Sequence, residues 1–278
     1  MLPRSFAQQG FAEASSVRAR KRLLIGLDGP PDSGKTEFAL SCPGPGLGVI
    51  LDRGLDGCLD NPNPPKSRNK DWAFKVISIP LPTQSVQREY ATYWHMFYEW
   101  YRKALDNVDA TSVLVDGDSD SWELQRLAEF GKLTQVMPIA YTQVYAARRA
   151  MYARAWDACK IVVFTNKIKK EYKAQFNPDG TPRMDNGKEV REWSGEYERQ
   201  GFPDQDYLFH LQLSTMYRAE SYNEKMRRTI PAAYGLKINK CKRSAEFVGQ
   251  EIWAEDCCFK GLVQLVYPEV PLKDWGLV

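Results

Sequence analysis

Residues 29–36 read GPPDSGKT, a glycine followed by four variable positions and then Gly-Lys-Thr. Glycines at this spacing let backbone N–H groups turn toward one anion, the lysine adds positive charge, and the threonine hydroxyl can bind Mg²⁺. The apolar run 23–27 before the motif predicts a strand, and residues 36–40 after it predict a helix start. We therefore expect a phosphate-binding loop for ATP and Mg²⁺. The predicted nucleotide-binding residues are Gly29, Pro31, Asp32, Ser33, Gly34, Lys35, Thr36 and Glu37.

A carboxylate at the end of a buried strand is the second part that such a loop needs. The apolar run 113–115 ends in Asp116, which could hold the water shell of Mg²⁺ beside Thr36. Lys35 reaches the β- and γ-phosphates in this interpretation. Asp118 and Asp120 follow in the same segment, and we interpret them as capping residues of the next helix rather than as catalytic groups.

Hydrolysis also requires a group that orients the attacking water. Asp52 directly follows the apolar run 47–51 and is the first candidate, because ligands bind at the carboxyl edge of an open α/β sheet. Asp56 and Glu123 remain alternatives. Asn166 follows another apolar run, where it either hydrogen-bonds the γ-phosphate or its water, or is an ordinary strand-end amide.

Composition limits the remaining classes of protein. The chain has 278 residues, 43% of them hydrophobic and 12% aromatic, which suffices for a sizeable buried core. The formal net charge of +3 means that any nucleic-acid contact must come from a local patch. Six scattered cysteines and two histidines without a C-x-x-C spacing argue against zinc. Without an apolar signal or membrane-spanning run, we expect a cytoplasmic protein that does not enter a membrane.

The periodicity of apolar residues predicts an α/β fold with a mostly parallel central sheet flanked by helices. Residues 1–20 read as a flexible lead, residues 21–245 as the core, and residues 246–278 as a C-terminal extension. Residues 167–203 are charged and read as a hairpin or loop excursion, after which alternation predicts antiparallel strands. Strands are predicted at 23–27, 47–51, 74–79, 111–116, 160–165, 207–217 and 227–242; helices are predicted at 86–105, 121–136, 138–158 and 259–266.

The order of these elements resembles the phage-encoded RecA-like P-loop ATPases, the group that includes single-strand annealing recombinases. The resemblance rests on the segments GPPDSGKT (29–36), VILD (49–52), VLVDGDSDSWEL (113–124), VVFTNK (162–167) and KINKCKR (237–243). Two strands are predicted between the loop and the strand that ends in Asp116. Nucleotide kinases, in contrast, usually place the strand of the Mg²⁺-side carboxylate next to the strand that precedes the loop. The resemblance implies a RecA-like fold, ATP, Mg²⁺, oligomerisation, and often single-stranded DNA binding, in a phage protein within the host cytoplasm.

The same resemblance assigns roles to residues far from the loop. Basic residues of a late strand, here Lys240, Lys242 and Arg243, reach the γ-phosphate of a neighbouring subunit in RecA-like rings and filaments; the alternative is a solvated basic strand. The family pattern has Glu or Gln near the water, whereas this chain has Asp52, and its sensor position is Asn166. These departures predict slow hydrolysis or nucleotide binding without turnover.

A charged segment with aromatic residues is the candidate contact for single-stranded DNA. Lysines combine with Tyr172 and Phe176 in residues 167–176, as in grooves that bind nucleic acid without reading its sequence. Several glutamates dilute this charge, so a solvated hairpin is an equal alternative. Two other functions remain open: a nucleotide-gated assembly or interaction protein, and a nucleotide kinase. The lysines of this segment are Lys167, Lys169, Lys170 and Lys173.

Overall fold

The apolar runs of the sequence form a central sheet in the computed structural model, which describes residues 22–51, 71–79, 86–133, 136–223 and 228–277. Its strands are β1 (Leu23–Asp28), β2 (Gly46–Ile50), β3 (Trp72–Val76), β4 (Ser112–Asp116), β5 (Ile161–Ala174), β6 (Met184–Asp185), β7 (Lys188–Glu189), β8 (Arg191–Gln200), β9 (Leu211–Arg218), β10 (Ser221–Asn223), β11 (Arg228–Ile230), β12 (Ala233–Cys241) and β13 (Glu251–Trp253). The pairs β6–β7 and β10–β11 form separate two-stranded sheets.

The strand order separates the strand before residues 29–36 from the strand that ends in Asp116. Neighbours in the main sheet run β13-β12-β9-β1-β5-β4-β2-β3, so β5 lies between β1 and β4. All pairs from β9 to β3 are parallel, whereas β12 and β13 join antiparallel. Because parallel strands run in one direction, the carboxyl ends of β1, β2 and β4 lie at one edge of the sheet, level with Asn166 inside β5.

In the described part of the chain, six α-helices accompany the sheet: α1 (Lys35–Leu40), α2 (Gln87–Asp106), α3 (Asp118–Phe130), α4 (Tyr141–Asp157), α5 (Gln205–Leu208) and α6 (Phe259–Val266). Aromatic residues recur at helical spacing along α2, and three of them, Tyr90, Phe97 and Tyr101, are buried against the sheet side of the helix. A 3₁₀ turn with Pro138 in its first position precedes α4. Proline is tolerated at this position because the backbone N–H that it lacks would have no partner within the turn. In the described ranges, we find no helix both long and apolar enough to cross a membrane.

Among the residues that the structure describes, one hydrophobic cluster lies on each face of the sheet. One cluster joins α1 and α6 to β1 through Phe38, Leu262 and Leu27, and the other packs α2, α3 and α4 on the opposite face. Residues after 245 belong to the same sheet and core, because β13 pairs with β12 and Trp275 is buried in the first cluster. Alternate residues of the strands therefore contribute to opposite clusters, which accounts for their continuous apolar runs.

The charged excursion forms a two-stranded ribbon, in which β5 continues beyond its neighbours in the sheet and pairs with β8. The outer part of β5, from Lys167 to Ala174, pairs antiparallel with β8, and we call this pair the ribbon. β6 and β7 follow at its tip around a turn in which Asn186 and Gly187 both have positive φ, the conformation that an Asn-Gly hairpin favours. The charged hairpin and the C-terminal antiparallel strands are therefore confirmed, together with the mostly parallel α/β fold.

Candidate functional site

The carboxyl edge of the sheet brings together Asp116 and Asn166, which the sequence pattern selected, and Asp28, which it did not. β1 ends at Asp28 and β4 at Asp116, while Asn166 of β5 lies beside Asp28 in the register. Residues 29–36, which we call the 29–36 loop, leave β1 at this edge and enter α1 at Lys35. The loop thus has a strand before it and a helix behind it, as predicted. Asp52 and Asp56 lie outside the described residues.

The 29–36 loop has a tight conformation that depends on glycine. Gly34 has φ 86° and Asp32 has φ 56°, so two residues of this short loop have a left-handed backbone conformation, which glycine adopts most easily. A Cβ on Gly29 would lie 1.9 Å from Oγ1 of Thr215, which leaves room for glycine alone. Ser33 is buried, and its hydroxyl contacts the Pro30 carbonyl at 2.7 Å and the Thr215 hydroxyl at 2.5 Å.

Lys35 curls back over the loop. Its Nζ donates to the carbonyl oxygens of Gly29, at 3.0 Å, and Pro30, at 2.6 Å. The ammonium group therefore lies directly above the loop and not along the surface of α1. Pro31 and Asp32 are exposed beside it, while Glu37 is half-buried in the first turn of α1. This arrangement concentrates positive charge at the loop, where the backbone alone could bind an anion only weakly.

Thr36 and Asp116 meet although they lie 80 residues apart in the sequence. The Thr36 hydroxyl donates to Oδ2 of Asp116 at 3.0 Å, and the Thr165 hydroxyl donates to Oδ1 at 2.5 Å. Thr165 also accepts from the Gly117 N–H at 2.9 Å, which fixes its orientation. One hydroxyl and one carboxylate form the hard oxygen set that Mg²⁺ prefers when phosphates supply further ligands, so these residues fit that ion.

Asp28 is the centre of a buried polar cluster that the sequence reasoning missed. Arg199 donates to both of its carboxylate oxygens at 2.8 Å, and Asn166 and Gln212 donate to it at 3.0–3.2 Å. Burial lowers the pKa of Arg199, but hydrogen bonds and charge from Asp28, with the charge of Asp206, outweigh it and raise that pKa. Asp28 ends an apolar run, the same signal that selected Asp116, whereas nothing local marked Arg199.

Asn166 is buried, and its amide is directed at Asp28. Its Nδ2 donates to Oδ1 of Asp28 at 3.0 Å, so the amide links β5 to the end of β1. This contact lies directly before the 29–36 loop. A role in sensing the γ-phosphate therefore stays a prediction, and in this structure the residue connects two strands at the candidate site.

The capping role predicted for Asp118 and Asp120 is wrong. The helix begins earlier than expected, α3 is preceded by Gly117 with φ 94°, and no side chain caps it. Asp118 is instead fully buried and accepts from Arg148, Tyr152 and other donors, because a buried carboxylate needs charged and hydrogen-bonded partners. Asp120 pairs with Lys167 at 2.7 Å, at the base of the ribbon.

Glu123, an alternative for orienting water, lies on α3 at the base of the ribbon. Its Oε1 accepts from Nε2 of Gln200 at 2.8 Å. In addition, Ser119 Oγ accepts from the Lys167 N–H at 2.9 Å and donates to the Gln200 carbonyl. The start of α3 thus holds both strands of the ribbon where they leave the sheet. A catalytic role for Glu123 stays a prediction.

Of the three late basic residues, only Lys240 lies in a strand, because β12 ends at Cys241 and Lys242 and Arg243 follow it. Lys240 pairs in register with Gln212, and its pKa is lowered by burial despite the charge of Asp206. Lys242 lies further from the carboxyl edge of β9, with Nζ 4.5 Å from the Trp156 ring centroid. Arg243 forms a bidentate ion pair with Glu269 at 2.7 and 2.8 Å. Their predicted action on a neighbouring subunit remains a prediction.

The ribbon separates its charged and aromatic side chains onto two faces. Lys169 pairs with Glu198 at 3.1 Å, and Lys173 pairs with Glu171 at 3.0 Å, so one face is largely neutralised. The other face, which we call the aromatic face, has half-exposed rings and one lysine above an indole. Lys170 Nζ lies 5.0 Å from the Trp193 ring centroid. The aromatic face consists of Lys170, Tyr172, Trp193 and Tyr197.

Comparisons with known proteins leave the site to be interpreted from its chemistry. No protein-family model matches the chain, and no curated protein matches its sequence.

Proposed function

We propose that the protein binds MgATP at the 29–36 loop and hydrolyses it. The backbone of the loop would surround the β-phosphate, and Lys35 would turn from the loop carbonyls to the β- and γ-phosphates. Thr36 and Asp116 would hold Mg²⁺, which neutralises charge that develops on the phosphates when the terminal phosphoryl group is transferred to water. The first candidate for orienting this water is Asp52, with Asp56 and Glu123 as alternatives.

The observation that carries the proposal is the 3.0 Å hydrogen bond from Thr36 to Asp116. The two residues were selected from separate motifs, and their meeting needs the correct order of β1, β5 and β4. Proximity of the metal-binding hydroxyl and the strand-end carboxylate is what Mg²⁺-dependent phosphoryl transfer requires. The position of β5 between β1 and β4 also favours the RecA-like ordering over that of nucleotide kinases.

The test is ATP affinity and turnover of a Lys35→Ala variant, measured by calorimetry and phosphate release. We expect loss of binding or of hydrolysis with an unchanged fold, because the Lys35 ammonium group donates to carbonyl oxygens of the loop and the residue belongs to neither hydrophobic cluster. Lys260→Ala, an exposed lysine of α6, is the matched control and should behave as wild type. Wild-type affinity and turnover in Lys35→Ala would refute the proposal.

We further propose that single-stranded DNA binds to the aromatic face of the ribbon. Stacking of bases on Tyr172, Trp193 and Tyr197 would supply affinity of about 1–3 kcal/mol per base without sequence preference. Lys169 and Lys173 are already paired with glutamates, so phosphate contacts contribute less than the lysine count suggests. We therefore expect a shallower salt dependence than a patch of four unpaired lysines would give.

Fluorescence anisotropy with labelled oligonucleotides tests this second proposal. Trp193→Ala should weaken binding by roughly tenfold or more, since one stacking contact is lost. Lys169→Gln, on the opposite face, is the control and should change affinity by less than about threefold. Absence of oligonucleotide binding by the wild type would instead favour the alternative function, in which the ribbon contacts a protein and ATP controls assembly.

Assembly into a homo-oligomer is proposed on the resemblance, with Lys240, Lys242 and Arg243 acting on a neighbour's nucleotide. A variant lacking these three charges should still bind ATP, and mixing it with Lys35→Ala should restore some hydrolysis. A charge supplied by a second subunit is worth on the order of 10³–10⁵ in rate in related systems, so partial rescue is measurable. Activity independent of protein concentration, with no rescue, would mean that the basic strand is only a solvated edge.

A further inference from the structure

Tyr217 and Tyr234 lie beside the 29–36 loop, at the carboxyl edge of the sheet. At this edge β9 continues past the end of β1. β9 runs parallel to β1, with Ser214 level with Asp28, so Tyr217 lies three residues further along. At about 3.3 Å per residue, this places Tyr217 roughly 10 Å beyond the level at which the loop begins. Tyr234 of β12 is paired directly opposite Tyr217.

The two side chains form one surface that touches the loop. Directly opposed residues of antiparallel strands point to the same face, and the two ring centroids lie 5.2 Å apart at 51°. A Cβ on Gly34 would lie 3.4 Å from Cδ1 of Tyr234, so this ring rests against the backbone of the loop. The Thr215 hydroxyl forms a hydrogen bond with the Ser33 hydroxyl of the loop. Because Thr215 and Tyr217 are two residues apart on β9, their side chains lie on the same face, so the tyrosines are on the loop side of the sheet.

Both rings remain accessible despite these contacts. Tyr234 is 48% exposed and Tyr217 is 57% exposed. Aromatic rings that are exposed on one side offer a π-face on which a nucleobase can stack. A ligand whose phosphates occupy the loop has its base attached at a short distance, through the ribose.

We propose that Tyr234 and Tyr217 form a stacking platform for the base of the nucleotide whose phosphates bind the 29–36 loop. The inference rests on the proposed function and adds the part of the site that binds the nucleoside. Stacking contacts the π-face and not the hydrogen-bonding edge of the base. The platform therefore favours purine over pyrimidine nucleoside triphosphates through ring area, and discriminates little between ATP and GTP.

The test compares ATP with inorganic tripolyphosphate, both with Mg²⁺, by calorimetry on the full-length protein. Tyr234→Ala should weaken ATP binding by roughly tenfold and leave tripolyphosphate binding within about twofold of wild type. Tyr234→Phe should retain ATP affinity, since the ring and not the hydroxyl stacks. Tyr207→Ala, which removes a tyrosine that is 80% exposed on α5, is the matched control.

The outcomes separate this inference from the proposed function. Equal loss of both ligands in Tyr234→Ala would mean that the ring only supports the loop, and unchanged ATP affinity would mean that the base binds elsewhere. Either result overturns the platform while the loop keeps its role. Failure of the wild type to bind both ATP and tripolyphosphate would overturn the proposed function itself, and the platform with it.

Discussion

The ion pair between Arg199 and Asp28 fastens the ribbon to the strand that leads into the 29–36 loop. Replacing Arg199 by Met keeps much of the side-chain volume but removes the charge and both hydrogen bonds to Asp28. The Asp28 carboxylate, whose side chain is 8% exposed, would then remain buried without a cation. We expect the variant to be destabilised and to bind ATP more weakly, because Asp28 directly precedes Gly29.

The expected magnitude follows from burial and from the partners that remain. Breaking a buried ion pair from one side costs about 3–5 kcal/mol, because the other charge is left uncompensated. Asn166 and Gln212 still donate to Asp28, which places the cost near the lower end, about 3 kcal/mol. The second partner of Arg199, Asp206, is 55% exposed, and such a pair adds less than about 1 kcal/mol.

Urea unfolding followed by tryptophan fluorescence measures this loss. The matched control is Arg191→Met on the same strand, where an exposed pair with Glu189 should contribute no more than about 0.5 kcal/mol. In the double variant Asp28→Asn, Arg199→Met, the cost should fall below the sum of the single costs by about 1 kcal/mol or more. A loss below about 1 kcal/mol in Arg199→Met would refute the reasoning.

Two further predictions concern the metal site and the pH dependence of stability. Asp116→Asn should lower Mg²⁺-dependent hydrolysis by more than about tenfold while ATP affinity changes by less than about threefold, because the carboxylate acts through the metal; phosphate release across Mg²⁺ concentrations measures this. Burial and then nearby cations lower the pKa of His210 from 6.5 to about 4, and its Nδ1 accepts from the Leu24 N–H at 2.9 Å. Between pH 4 and pH 6.5 the imidazole therefore takes up a proton when the protein unfolds. The free energy of unfolding should decrease by about 1–2 kcal/mol as the pH falls from above 6.5 toward 4, after allowance for the partial exposure of His210. Urea midpoints against pH should lose this component in His210→Asn but not in His95→Asn, which changes the exposed histidine of α2.

The fold class and the centre of the site could be predicted because their signals are local. Apolar runs with β-branched residues gave β1, β4 and the inner part of β5, and the glycines around Ser33 specified the loop conformation at Gly34. Asp116 was found because strand-end carboxylates of parallel strands share one edge. The predicted start of α3 was wrong, since Gly117 precedes the helix and Asp118, which was expected to cap it, is buried inside its first turn.

Contacts between distant segments could not be predicted in the same way. Arg199 and Asp28 are 171 residues apart, and Arg148 and Asp118 are 30 apart on separate helices. The pairing of Lys169 with Glu198 depends on the register of β5 and β8, and a shift by one residue would reverse the faces of the ribbon. No propensity of a single residue contains that information.

The sequence by itself therefore determined the turn at residues 29–36, the mostly parallel α/β architecture and the place of Asp116 at a strand end, because each follows from residue type and spacing within a short segment. The tertiary structure decided which charges are already paired, which aromatic side chains remain accessible beside Gly34, and how Arg199 joins the ribbon to Asp28. The physical reason is that strand order and register bring together residues whose separation along the chain says nothing about their distance in space.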